Sequence, residues 1–436
     1  MKLNYKRTFL VGLAFFAIST FWQLYDHIVP LMLKYSFHIA DGIAGGVMAA
    51  DNILALFLLP LVGALSDKTN TRWGRRMPYI VVGSVGGALT MLLLPLADRN
   101  NSLPLFVLGL ALALLFMATY RSPAVALMPD VTIKPLRSKG NAIINLMGAL
   151  GGLIILLMVR VLLPSEQAGT AYRPNYLPIY LLCAGIMLAS TLVLVLFVRE
   201  PRFVQEMKQT SEKLGVQDEA EEAHEQAGNQ KLEKDVKKSM GFLLASVALW
   251  FMGYNAITTA FSKYCVERFQ MDAGASATVL LIANAAAIIS FIPVGMLATK
   301  IGRRKCILGG LVLLCAAFAT GATFSSFTPF MYVLFVAAGI AWAGINVNSY
   351  PMVVEMARGA EVGKFTGYYY TASMSAQTIT PILSGTMLQY WGYKWLFPYG
   401  ALFVGLAFIT MQFVKHGDAK PIAPKSKLEA FEAMED

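Results

Sequence analysis

Residues 63–79 read Gly63-Ala-Leu-Ser-Asp67-Lys-Thr-Asn-Thr-Arg72-Trp-Gly74-Arg75-Arg76-Met-Pro78-Tyr79, a short basic segment set between two apolar runs at about 43–65 and 78–97. Each flanking run is long enough to cross a hydrocarbon layer of about 30 Å as a helix. A basic loop between two such helices is what a membrane protein leaves on its inner side. Gly63 permits close approach of a neighbouring helix. Asp67 can cap a helix N-terminus and hold a cation, while the arginines face anionic lipid and the carboxylate.

Outward from this loop the pattern repeats. Apolar runs occupy about 9–32, 43–65, 78–97, 103–128, 140–163, 176–198, 239–262, 276–298, 305–325, 328–354, 364–389 and 393–414. The 436 residues are 56% hydrophobic and only 14% charged, against about 25% charged in soluble domains. The expected fold is therefore all-α, with twelve transmembrane helices. No cleavable signal peptide is expected, because the first run lacks a short core followed by a small-residue cleavage site. Most of the 36 lysines and arginines fall in segments that share a side with the N-terminus, which predicts a multi-pass cell-membrane protein with both termini cytoplasmic. The net charge of +10 thus belongs to loops facing lipid and cytosol, and no nucleic-acid partner is expected. Four cysteines without paired spacing and four scattered histidines suggest no disulfide framework, metal site or cofactor.

The polar stretch from Glu200 to Lys238 divides the chain. The expected organisation is an N-terminal six-helix bundle over 1–199, a cytoplasmic linker over 200–238, a C-terminal six-helix bundle over 239–414 and a cytoplasmic tail over 415–436. The halves align on one another. Trp22 to Asp26 matches Trp250 to Tyr254, and the same offset relates Pro123 to Pro351. Asn52 and Gly63 match Asn284 and Gly295, and Gly74-Arg75-Arg76 recurs as Gly302-Arg303-Arg304. Repeats of six spans are parallel, related by an axis along the membrane normal.

The 63–79 segment resembles the loop signature between the second and third helices of the major facilitator superfamily. The extra residues between Asp67 and Gly74, and the Arg-Arg-Met-Pro-Tyr ending, narrow the likeness to the glycoside–pentoside–hexuronide cation symporters. Tyr120-Arg-Ser-Pro-Ala-Val-Ala-Leu-Met-Pro-Asp130 is similar to the sucrose–proton symporter branch in its proline-to-aspartate spacing. The resemblance implies two pseudo-symmetric bundles that rock in alternating access, and cation-coupled sugar uptake. It also implies that Asp67 latches the inner gate; Gly63, Arg75 and Arg76 of the same segment are gating candidates with it, and Asp130, at the cytoplasmic end of its span, is a further gate or cap candidate. In the second half Thr299 stands where that latch acid would be. Two further departures concern coupling. The branch carries an acid where this chain has Leu114, and melibiose-type relatives carry one where it has Arg121.

The coupling site must then lie among the charges that remain within spans, each costing about 3 kcal/mol to insert and so a functional candidate by default. Asp26 and Asp51 lie at matching depths, about 21–25 Å from the inner boundary at 1.5 Å per residue. Two nearby carboxylates raise one another's proton affinity, so this pair is the candidate proton or cation site. Arg121 either snorkels to the inner surface or faces the cavity. A sugar needs aromatic faces and fixed polar groups. The candidate substrate set is Trp22, Tyr25, Asn52, Arg121 and Asn145 in the first half, with Trp250, Tyr254, Asn255, Asn346, Tyr369 and Gln377 in the second. Interface anchoring and helix gluing are the competing roles for such residues. The expected function is proton-coupled uptake of a disaccharide or other small glycoside, with a small sugar and the proton as co-substrates and the lipid bilayer as surroundings. Rival readings are an exporter of amphiphiles, and a sodium-coupled or uncoupled sugar carrier. A membrane enzyme or sensor finds no nucleophile set, phosphate loop or signalling domain here.

Overall fold

Prolines and caps set where the helices begin. Asn4 accepts the backbone N–H of Arg7 at 3.1 Å and opens the first helix, and Pro78, Pro104, Pro135 and Pro178 each occupy a first turn, where a missing N–H costs nothing. The computed structural model describes residues 3–163, 174–213, 234–357 and 362–418; residues 214–233 of the expected 200–238 linker and 419–436 of the expected 415–436 tail lie outside the described residues.

In chain order the helices are α1 (Tyr5–Leu31, continued by a π-helical turn, Met32–Ser36), α2 (Asp41–Lys68), α3 (Met77–Thr90), α4 (Leu93–Arg99), α5 (Leu103–Val131), α6 (Lys134–Leu162), α7 (Leu177–Phe197) and α8 (Glu200–Lys213). They continue as α9 (Lys234–Phe269), α10 (Ala273–Ile301), α11 (Arg303–Gly321), α12 (Phe330–Ala357), α13 (Val362–Trp391) and α14 (Leu396–Gln412). Among the described residues eleven segments are long and apolar enough to cross a membrane, with α3 and α4 together forming one of them. The remaining expected span, 364–389, is the 30-residue helix α13. Its Ser, Thr, Tyr and Gln content sets it apart in composition, not in form. No β-strand occurs among the described residues, only an isolated bridge between Thr71 and Gly74. Among the described residues six helices carry prolines inside them: Pro30 in α1, Pro60 in α2, Pro123 and Pro129 in α5, Pro293 in α10, Pro351 in α12 and Pro381 in α13.

The helices gather into two compact units. In the first, α1 packs on α6 and α7, and α3 packs on α5. Tyr120 of α5, fully buried, donates its hydroxyl to the Ala14 carbonyl of α1 at 2.9 Å. In the second, α11 packs on α12 and α14.

The units depart from a simple halving of the sequence at two places. Phe261–Leu281 belongs to the first unit, and Asp41–Ala49 belongs to the second. Within the first, buried His27 of α1 meets the Ala273 carbonyl at 3.0 Å and Ser276 Oγ at 3.2 Å. Nearby, Tyr35 donates to Glu267 at 2.9 Å. Within the second, a Cβ on Gly45 would stand 1.9 Å from the Pro381 carbonyl oxygen, so α2 touches α13 backbone to backbone. Gly42 donates to Gln389 at 3.1 Å, and Tyr393 donates to Asp41 at 2.7 Å.

Candidate functional site

The basic loop between α2 and α3 is built around a buried acid beyond the sixth span. Gly74 adopts φ +109°, a conformation that L side chains avoid, and a Cβ there would fall 2.3 Å from Glu200 Oε2. The vacated space admits the Glu200 carboxylate, which accepts the backbone N–H groups of Arg75, Arg76 and Met77 at 2.9–3.0 Å. The Met77 N–H is an orphan donor of α3 and the other two lie just ahead of it, where a carboxylate is the partner that the helix dipole favours. Arg76 then turns its guanidinium to Asp130 through Nε at 2.8 Å, and to Asp67. It also donates to Ser66 Oγ, while Arg75 reaches Asp130 at 3.2 Å. Asp67, Arg75, Arg76 and Asp130, expected as one gating group, thus form one network. Gly63 lies where α2 approaches α5, with Ser122 Oγ 2.9 Å from the position of a Cβ.

Further along the same unit, α1 carries the aromatic and acidic residues as a cluster. The Trp22 and Tyr25 rings meet edge to face at 5.5 Å, and Phe21 stacks on Tyr25 at 6.2 Å. Arg121 holds its guanidinium 6.0 Å from the centroid of the Trp22 ring, within cation–π range. Asp26 and Asp51 lie near enough to act on each other electrostatically, and Arg121 acts on Asp51 through space. Asn52 donates to Asp51 Oδ1 at 3.0 Å. The indole Nε1 of Trp22 is buried without an acceptor among the described residues, an uncommon arrangement in a native structure. Asn145 sits half-buried on α6 and makes no hydrogen bond to this set among the described residues.

In the second unit the residues fall around a stripe on α12. Trp342 lies flat on Tyr254 with centroids 3.7 Å apart and planes 6° apart, and Phe251 meets it edge on at 5.4 Å. One turn further along α12 is Asn346, and another turn on is Tyr350, which contacts Tyr369 and Tyr370. Tyr369 is buried and shares a 2.9 Å hydrogen bond with Ser349. The Asn255 Nδ2 is buried without a partner among the described residues. Trp250 is only 1% exposed and packs in the core, whereas its repeat partner Trp22 is half-buried. Gln377 is half-buried on α13. Of the three consecutive tyrosines on α13, Tyr369 is buried, while Tyr368 and Tyr370 are nearly half exposed.

Sequence reasoning missed Glu200, Trp342, Ser349 and Tyr350. Glu200 had a signal, an isolated acid placed directly after the sixth apolar run. Trp342, Asn346 and Tyr350 recur every fourth residue, the helical spacing that aligns side chains on one face.

Comparison with known proteins follows this geometry. The family model described as Major Facilitator Superfamily matches residues 11–300 and 282–433. An uncharacterised symporter of Synechocystis is 32% identical over 147 residues, 31% of this chain and 26% of that protein. Proton-associated sugar transporter A of Homo sapiens is 30% identical over 164 residues, covering 35% and 21%. Sucrose transport protein SUC3 of Arabidopsis thaliana is 27% identical over 121 residues, covering 23% and 20%. The matched stretches therefore span about a quarter or less of these relatives. Among solved structures, the xylose transporter XylE of E. coli superposes with TM-score 0.64 at 16% identity over 98% of each chain. The nucleoside transporter NupG does so at 0.65 and 15%, over 94% of this chain and 100% of that one. At such identities these structures speak for the fold. With both halves matched and the architecture shared, the chain is a multi-pass membrane transporter, not an enzyme, and belongs to the Major Facilitator Superfamily.

Proposed function

We propose that this transporter takes up a small sugar, a disaccharide or other glycoside, together with a proton, by alternating access of its two six-helix bundles. The observation that carries the reading is the cluster in the first unit. It sets two mutually interacting acids, Asp26 and Asp51, beside a tryptophan whose N–H lacks an acceptor and an arginine turned toward it. Protonation neutralises buried charge, and a neutral carrier reorients across the bilayer at lower cost. Trp22, and in the second unit Tyr254 with Trp342, offer faces for the C–H surfaces of a sugar, while Asn255 offers an unused donor. Asn52, Asn145, Asn346, Tyr369 and Gln377 are assigned to the sugar hydroxyls. The relatives named as sugar and sucrose transporters support the substrate class. Both termini are assigned to the cytoplasm by the basic loops, and Asp67 and its network to the inner gate.

The test uses purified protein in liposomes with a pH dye inside and a panel of sugars outside. Interior acidification evoked by one disaccharide and absent from empty liposomes is the expected result. Sugar entry without proton movement, or with sodium entry, overturns the coupling. Silence across the panel, with proton flux evoked by amphiphiles, moves the assignment to an exporter. In an Asp26→Asn variant, sugar entry is expected at equal rates with and without a proton gradient, beside wild type still driven by it. A variant still accelerated by the gradient removes Asp26 from the coupling site.

A further inference from the structure

On the side of the membrane where the chain begins, the first unit contains a cavity that the transport reading does not use. It measures about 370 Å³ and lies where the α2–α3 loop meets the end of α7 and the start of α8. Three arginines line it, Arg72, Arg199 and Arg202, together with Trp73, Met77 and Val198. The acids nearby are already engaged. Glu200 accepts three backbone N–H groups, and Asp67 and Asp130 hold Arg75 and Arg76. Glu206 is shared between Arg202 at 2.9 Å and Arg7 at 2.5 Å. Arg72 and Arg199 are exposed and form no ion pair with a described residue. Two arginines without an ion-pair partner among the described residues therefore line one small cavity.

The position of the cavity says what fills it. The α7 span ends at Phe197, so Arg199 stands at headgroup depth, where basic side chains meet lipid phosphates. Val195 and Val198 form the apolar lip, and it continues into Leu192, Leu196 and Phe197, each about 60% exposed on the face of α7 that has no protein neighbour. Trp73, 48% exposed, is the interfacial type of residue that anchors at this level. Guanidinium groups bind phosphate oxygens as forked, charge-assisted pairs.

We propose that this cavity binds the phosphate headgroup of an anionic phospholipid, with Arg72 and Arg199 on the phosphate and the acyl chains along α7. The site depends only on the chain lying in a bilayer, and it is independent of the sugar, the coupling ion and the direction of transport.

The protein is reconstituted in phosphatidylcholine vesicles containing a fixed fraction of lipid brominated on its chains, either phosphatidylglycerol or phosphatidylcholine. The contribution of Trp73 is isolated by difference from a Trp73→Phe variant. Brominated phosphatidylglycerol is expected to quench Trp73 several-fold more than brominated phosphatidylcholine at equal mole fraction. Each of Arg72→Gln and Arg199→Gln is expected to reduce the preference about five-fold, with Arg→Lys variants retaining part of it and added salt eroding it. Gel filtration and unchanged quenching by phosphatidylcholine show that the variants remain folded. Equal quenching by the two lipids overturns the proposal. So does loss of the preference on adding millimolar inorganic phosphate at constant ionic strength, which identifies a soluble phosphate as the occupant. A preference unchanged in the double Arg→Gln variant overturns the assignment of these residues.

Discussion

The loop at Gly74 and the loop at Gly302 are two solutions to one problem, posed once in each unit. In both, a glycine at positive φ, +109° and +96°, precedes an Arg-Arg pair and turns the chain into the next helix. In both, an acid from beyond the unit's last span accepts backbone N–H groups at that helix start: Glu200 in the first, Asp418 in the second. In both, an arginine of the pair reaches an acid near the end of the proline-containing helix: Asp130 in the first, Glu355 in the second. The difference lies in how fully each is held. Glu200 is buried and takes three N–H groups, while Asp418 takes that of Arg304 at 2.8 Å. Arg76 bridges two acids, whereas Arg304 turns to the Gln412 carbonyl at 2.8 Å and leaves Arg303 to pair with Glu355. A duplicated loop has kept its backbone geometry while its charge network became concentrated in one copy.

The comparison breaks most sharply at the glycines. Gly74→Ala combines left-handed backbone strain of about 1–2 kcal/mol with displacement of a carboxylate that makes charge-assisted bonds of about 1.5–3 kcal/mol each. A loss of about 3–5 kcal/mol is expected, seen as a lower unfolding midpoint in detergent. Gly302→Ala meets Asp418 only at 3.0 Å and should cost about 1–2 kcal/mol. Equal losses would mean that the two loops are equally tight.

Removing the capping charge comes next. Glu200→Gln is expected to destabilise by about 2 kcal/mol and Asp418→Asn by about 1 kcal/mol, by the same measurement. The reverse order would sink the claim that the first network is the stronger. Asp67 sharpens the comparison differently. Its side chain is 58% exposed, so Asp67→Asn should shift stability by less than about 1 kcal/mol. Transport in liposomes should nevertheless fall roughly ten-fold, which corresponds to ~1.4 kcal/mol on the barrier. Thr299→Asp, which supplies the second loop with the acid it lacks, should change the rate without changing the fold. The smallest effect concerns α8. Glu206 titrates below its ordinary 4.5 because Arg202 donates to it, reinforced by Arg7. Its contribution to docking α8 is therefore complete above that value and lost as pH falls through the lowered one. Amide hydrogen exchange across Arg202–Thr210 should rise only in that acid window.

Much of this was legible because membrane insertion writes itself into composition. Apolar runs of the required length gave the helices, and Gly-Arg-Arg beside Pro78 gave the loop that places Arg76. Trp22, Tyr25 and Asp26 were found because a charge inside an apolar run is conspicuous. Glu200 and Asp418 were not, since an acid outside the spans looks like ordinary solvated surface until the fold returns it to a helix start. Trp342 was hidden for the opposite reason: an aromatic in an apolar run is unremarkable, and only its flat contact with Tyr254 distinguishes it. The exchange of Asp41–Ala49 and Phe261–Leu281 between the units rests on contacts such as Gly45 with Pro381, which involve backbone atoms and leave no mark in side-chain pattern.

The internal prolines carry a consequence for the site residues themselves. A helical proline has no N–H to offer the carbonyl four residues earlier. Pro30 therefore leaves the Asp26 carbonyl without its intrahelical donor, and Pro381 does the same for Gln377. Each of these residues brings two acceptors to its surroundings, one on the side chain and one on the main chain. The second survives any substitution of the side chain, so an Asp26→Asn carrier keeps an acceptor at that depth even after its titratable group is gone.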